Sequence, residues 1–340
     1  MILNLATLPL LFSLGIEAVS TSGTGTIAAA ERASVLVVVG AEGTAEYGRE
    51  FRRWSDRWRN AAAKGNARFH RIGIGALHET TDRHRLFERL DKEPATGPNP
   101  LWLVLIGHGT FDGRSARFNL RGPDLTAAEL KTKLSRFRRP VIVINCASAS
   151  APFLRTLSAK NRIVVTACKS GYEQNYARFG GFLAAALTDP AADLDRDGQT
   201  SLKEAWLTAC RRTQAFYREE GRLATEHALL DDNGDRLGTP VSAFVGLRPV
   251  ENTVGSDAID GDRAHQIHLI PSPEERKLSP GQRRQRDELE LTLIALRKRK
   301  SELSEKEYYA RLESLLLKLA AVYGIRTAAW AKRPKRTRQR

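Results

Sequence analysis

Leu101-Trp-Leu-Val-Leu-Ile106-Gly107-His108-Gly109 and Val141-Ile-Val-Ile144-Asn145-Cys146-Ala147-Ser148-Ala149-Ser150 are the two segments whose reading decides the fold. Each is a short β-branched or leucine-rich run with no polar interruption, followed at once by small residues and a reactive side chain. Runs of that kind read as strands buried on both faces, which is what a parallel sheet covered by helices requires. In such sheets ligands bind outside the carboxyl ends of the strands, where His108 and Cys146 would both emerge. A thiol and an imidazole at neighbouring strand ends can act as nucleophile and base.

Working outward, the same grammar repeats. Residues 35–39 (Val-Leu-Val-Val-Val) form a strand, and Gly40-Ala-Glu42-Gly43 turns the chain into a helix. In that helix Tyr47, Phe51, Trp54 and Trp58 fall three or four apart, an apolar face for packing on a sheet. The Gly-containing turn lacks Gly-x-Gly-x-x-Gly and any following Lys-Ser/Thr, so core packing explains it better than phosphate binding. Residues 67–74 read as a strand, 81–90 as a helix, 124–130 as a helix with an acidic start, and 162–167 as a strand delivering Cys168, Lys169 and Ser170. Residues 180–187 add a short apolar helix. Strands alternating with helices predict an α/β fold with a doubly wound, mainly parallel sheet and right-handed crossovers.

The sharpest local signal is Asp193-Leu-Asp195-Arg-Asp197-Gly198-Gln199-Thr-Ser201-Leu-Lys-Glu204. It meets the EF-hand loop pattern at every position: acidic residues at 1, 3 and 5, Gly at 6, and Glu at 12. Calcium needs oxygens at those offsets because one tight loop must converge several of them on one ion. Gln199 would supply its backbone carbonyl and Ser201 a side chain or bridging water. Helices are expected on both flanks, and no partner loop is visible, which predicts a structural role for calcium. The alternative is a polar surface loop. Asp231-Asp-Asn-Gly-Asp235 lacks the twelfth-position carboxylate and reads as an ordinary turn.

His108-Gly109 after one strand and Cys146 after the next resemble the caspase–legumain clan of cysteine peptidases. Cys146-Ala-Ser-Ala-Ser150 is most similar to the legumain side, whose nucleophile opens a Cys-x-Ser-Gly-Ser run. Here Ala149 stands in the Gly position and Asn145 where Ala usually precedes the Cys. The resemblance covers residues 33–248 and implies a caspase-like three-layer sandwich acting as a cysteine endopeptidase, a hydrolase, to which the loop at 193–204 adds calcium binding. It also implies that His108 manages the protons, that Cys146 attacks a peptide carbonyl, and that the N–H groups of Gly109 and Cys146 form the oxyanion hole. Specificity would come from residues 40–43 and 169–173. There Glu42 and Glu173 favour a basic substrate residue while Lys169 favours an acidic or amide one, so no preference follows. Cys168 is the competing nucleophile, without the Cys-x-Ser-small-Ser context; Cys210 lies mid-helix.

The rest of the chain bounds the function. With 340 residues and 41% hydrophobic residues there is room for one large domain and an appendage. Three cysteines make no disulfide framework, and the absence of a Cys-x-x-Cys pair argues against structural zinc. Residues 1–20 carry an apolar centre and end in Ala18-Val19-Ser20, the pattern of a cleaved signal peptide, although no Lys or Arg precedes that centre. If it is cleaved, the protein is exported; otherwise it is cytoplasmic, the segment being a mis-assigned start or a loosely packed helix. Residues 21–32 and 249–283 read as linkers and 284–325 as a helical hairpin. The hairpin stripe is Leu289, Leu293, Leu296, then Tyr308, Leu312, Leu315, Leu316 and Leu319, buried internally, on the main domain or by self-association. Net charge is +15, and residues 326–340 hold seven basic residues and no acidic one. Without interleaved aromatics this tail implies only non-specific contact with an anionic partner. Three classes remain: a peptidase acting on a peptide or protein substrate, a non-catalytic calcium-binding relic of that fold serving as scaffold, and a basic adaptor.

Overall fold

The computed structural model describes residues 32–77, 79–250 and 259–325. The signal-peptide pattern, most of the first linker, residues 251–258 and the basic tail lie outside them.

The apolar runs form the strands expected of them. β1 (Ser34–Val39), β2 (Arg68–Ile72), β3 (Leu101–Ile106), β7 (Val141–Asn145) and β8 (Arg162–Thr166) are parallel. Short strands β4 (Gly109–Phe111), β5 (Ala116–Phe118) and β6 (Leu125–Thr126) make a separate antiparallel ribbon after β3. β9 (Leu229–Asp231) and β10 (Thr239–Pro240) close one edge antiparallel, giving a seven-stranded sheet in the order β10-β9-β8-β7-β3-β1-β2. This is an α/β fold with a mainly parallel sheet.

Alternate residues of each strand feed two cores. One face packs under α1 (Ala45–Lys64), the other under α2 (Asp82–Lys92), α3 (Ala127–Leu134) and α4 (Ala151–Leu157). α5 (Phe179–Ala186) and α6 (Leu202–Glu219) join α1 on the first face. Phe51, Trp54 and Trp58 are its buried stripe. The helix expected at 124–130 starts later, at Ala127, because Thr126 and Glu129 form a capping box while Asp124 is held by Leu120 N–H in the preceding turn.

Residues 259–279, read as a linker, pack onto the domain. They include α7 (Asp262–His265) and α8 (Pro273–Lys277). Their polarity misled because the polar groups are spent internally: Asp260 accepts the Asp232 and Asn233 amides and the Thr239 hydroxyl, while Ala264, Leu269 and Leu278 are buried. The hairpin, α9 (Pro280–Lys298) and α10 (Glu305–Val322), closes on itself and on this strap through Arg286–Glu275 and Lys298–Asp262 pairs. Leu293, Leu296 and Tyr308 are buried, whereas Leu316 is exposed. No helix among the described residues is long and apolar enough to cross a membrane.

Candidate functional site

His108 and Cys146 leave adjacent strands, since β3 and β7 pair with Leu105 opposite Asn145. Their side chains have different surroundings. The His108 ring sits among Tyr47, Phe51 and Tyr176, with centroids 5.1, 5.2 and 6.1 Å away. Its Nε2 lies 3.3 Å from the Glu42 carbonyl, which can only accept, so Nε2 carries the proton and Nδ1 is the free base. Burial lowers the imidazole pKa, partly offset by that bond, so the ring is neutral at pH 7.

Cys146 is fully buried. A Cβ on Gly180 of α5 would lie 2.5 Å from Cys146 Cβ and 2.8 Å from its sulfur, with Trp54 of α1 beside it. The Gly180-Gly181 pair is therefore a packing device, one glycine admitting Cys146 and the other Trp54. Burial, and then the charge of Glu226, push the Cys146 thiol far above its ordinary pKa. No hydrogen bond joins His108 to Cys146 among the described residues.

Both amides expected at the oxyanion hole are engaged. Cys146 N–H extends the sheet ladder to Leu105 O at 2.9 Å, and Gly109 N–H donates to Ser148 Oγ at 3.1 Å. Ser148 Oγ in turn donates to Gly109 O, stitching the two strand-end loops together. Gly109 is required by close approach: its Cβ would sit 2.2 Å from Ser148 O. Asn145 Oδ1 holds the turn through Ala147 N–H, and Ala149 stands at φ 53°, a left-handed position costing a non-glycine residue roughly 1–2 kcal/mol. That is the physical reason a glycine suits this place. Ser150 accepts Cys168 N–H rather than capping α4.

Cys168 is buried too, its sulfur 3.5 Å from Glu173 O and 3.7 Å from Ala147 O. Burial and the Glu173 charge push its thiol up to about 12. Glu173 is paired with His227 at 2.5 Å and Glu42 with Arg52 at 3.5 Å, so neither expected specificity carboxylate is an unpaired charge. Cys210 is buried on α6. Tyr176, stacked on Tyr47 beside the His108 ring, was missed as a site residue and carried no sequence signal; Ser148 and Glu173 were singled out in the sequence, but not for the contacts they make.

At the loop expected to hold calcium, carboxylate oxygens of Asp193, Asp195 and Asp197 lie within 4.8 Å of one another. Gly198 makes the sharp turn at φ 89°. Burial, and then the charges of Glu204 and Asp197, push the Asp195 carboxyl up to about 6. Glu204 lies outside that trio: it caps α6, accepting Leu194, Asp195 and Ser201 amides and the Ser201 hydroxyl. Gln199 Oε1 accepts Ser272 N–H, and its Nε2 donates to Asp197. The donor set would suit a hard cation held by Asp193, Asp195 and Asp197; Glu204 would have to give up its capping bonds to join them. The entering flank is the expected short helix, α5, followed by a 3-10 turn, Pro190–Ala192, that leads into the loop. The exit of the loop is braced by residues 267–268, which carry no acidic ligand set: Ser201 bridges antiparallel to His268, and Leu202 N–H donates to Ile267 O.

Calcium at about 100 times its dissociation constant should add about 2.7 kcal/mol, raising the melting temperature by roughly 4 °C in a chain of this length. Glu204→Gln should remove most of that increment; an unchanged increment would remove Glu204 from the ligand set.

No family model matches this chain, and no curated protein matches it. Among solved structures it is similar to the initiator caspase Dronc of Drosophila, at 13% identity over 59% of this chain and 80% of that one, with a TM-score of 0.41.

Proposed function

We propose that this chain is a calcium-binding module of caspase-like architecture that engages a peptide segment at the carboxyl ends of β1, β3 and β7 without hydrolysing it. The setting of Cys146 carries this reading. A nucleophilic cysteine needs access and a stabilised thiolate. Cys146 has a sulfur walled in by Gly180 and Trp54 and a pKa moved the wrong way. His108, half-exposed in an aromatic cage, would serve as a neutral hydrogen-bonding group for the bound segment. Calcium, held by Asp193, Asp195, Asp197, the Gln199 carbonyl, Ser201 and Glu204, would fix the start of α6 against residues 267–272.

A second reading, the cysteine endopeptidase with His108 and Cys146 as its dyad, draws on the adjacency of β3 and β7. It requires α5 to move off Cys146 and both oxyanion amides to be released. Incubating the calcium-loaded protein with a broad peptide library separates the two. No cleavage is expected. Cleavage that disappears in both Cys146→Ala and His108→Ala would install the peptidase, and cleavage lost only in Cys168→Ala would move the nucleophile there.

A further inference from the structure

A cavity of about 790 Å³ opens at the amino ends of the strands, away from His108, between residues 97–100 and the first turns of α8 and α9. It is lined by Arg32, Arg276, Arg283, Arg284 and Arg286 and by two acidic residues, Glu275 and Asp287. Both carboxylates are already bound by Arg286. Arg276 spends its donors on the Pro271 and Lys64 carbonyls. Arg32 and Arg284 have no carboxylate within ion-pair distance among the described residues. Arg283 approaches Glu275 only at 3.9 Å, and its buried Nε has no hydrogen-bond acceptor.

The cavity therefore has an excess of positive charge concentrated on one side, at the start of a 19-residue helix whose amino end adds to the field. His268 lines the same wall as a neutral ring, its pKa pushed down to about 3 by burial and by the Arg286 charge. A volume of this order is that of a small-molecule site. Three guanidinium groups with donors to spare exceed what one carboxylate can satisfy. Planar forks of this kind match phosphate oxygens two at a time.

We propose that this cavity binds a small molecule bearing two or more phosphate groups, held by Arg283 and Arg284 on α9 and by Arg32 before β1. Because α9 and β1 belong to the hairpin and the sheet respectively, such a ligand bridges the two.

Calorimetric titration of the full chain in calcium-free buffer with inorganic pyrophosphate tests this, with citrate as the carboxylate counterpart; calcium is left out because both anions chelate it. Pyrophosphate should bind one to one and saturate. Arg283→Ala and Arg284→Ala should each weaken it about tenfold, the usual effect of losing one charge-assisted contact, and the double variant should abolish it. Replacing Lys335, Arg336 and Arg338 by Gln should leave binding unchanged. Both α9 arginines are at least partly exposed, and melting curves of the variants will register any loss of fold. Absence of binding, binding insensitive to Arg283 and Arg284, or binding lost with the tail residues would overturn the site. Citrate binding tighter than pyrophosphate would overturn the phosphate assignment.

Discussion

Cys146 in the native protein should react with iodoacetamide at least ~100-fold more slowly than the same thiol in the unfolded chain. Only the thiolate reacts, and an unperturbed cysteine is a few per cent thiolate at neutral pH. Burial and the Glu226 charge push Cys146 the other way, and Gly180 and Trp54 leave no approach to the sulfur. Cys168 should be slow for the same reason: a thiol at about 12 has roughly a thousandth of the ordinary thiolate at neutral pH. Labelling followed by peptide mapping reads all three cysteines at once. A Cys146 that labels faster in the native state than in the unfolded chain would sink the non-hydrolytic proposal, because it would show an open conformation with an activated thiolate.

Glu93→Ala should destabilise the protein by about 3–5 kcal/mol, the usual cost of removing one partner from a buried ionic cluster. Glu93 closes α2 and is 1% exposed; it accepts from Ser34 at 2.8 Å and Arg68 at 3.0 Å, and is bonded by Arg89, with the fully buried Arg139 3.6 Å away. Without it three guanidinium groups face one another at the amino ends of the strands. Burial alone would raise the Glu93 carboxyl pKa, but the Arg89 and Ser34 hydrogen bonds and the Arg89 and Arg68 charges outweigh it and hold the pKa below the ordinary value. Its stabilisation is therefore present above the ordinary carboxylate pKa, near 4.3, and is lost as pH falls through the lower folded value. Thermal denaturation across pH should show the Glu93→Ala deficit in full at pH 6 and shrinking below about pH 4. A deficit under about 1 kcal/mol at pH 6 would mean that water reaches the cluster and screens it.

What was legible in the residues was whatever is settled locally or by periodicity. The runs 101–106 and 141–144 became central parallel strands because uninterrupted apolar side chains can be buried only when both faces of a sheet are covered. Asp193, Asp195 and Asp197 come together because their offsets within one loop impose it. The stripe Phe51, Trp54, Trp58 fell on the core for the same kind of reason.

Tertiary packing decided the rest. Whether a strand-end cysteine is a nucleophile depends on what lies over its sulfur, and here that is Gly180 and Trp54, both remote from Cys146 in the chain. Gly109 N–H was open to an oxyanion until Ser148, brought up by a different strand, took it. The strap at 259–279 looked like a linker because its composition is polar, yet its carboxylates and hydroxyls find internal partners and its few apolar residues find the core. Glu93 carried no pattern at all; its role exists only where α2, β1, β2 and the chain before β7 meet. Spacing along a chain sets which side chains share a face, whereas desolvation and pairing depend on neighbours that distant segments supply.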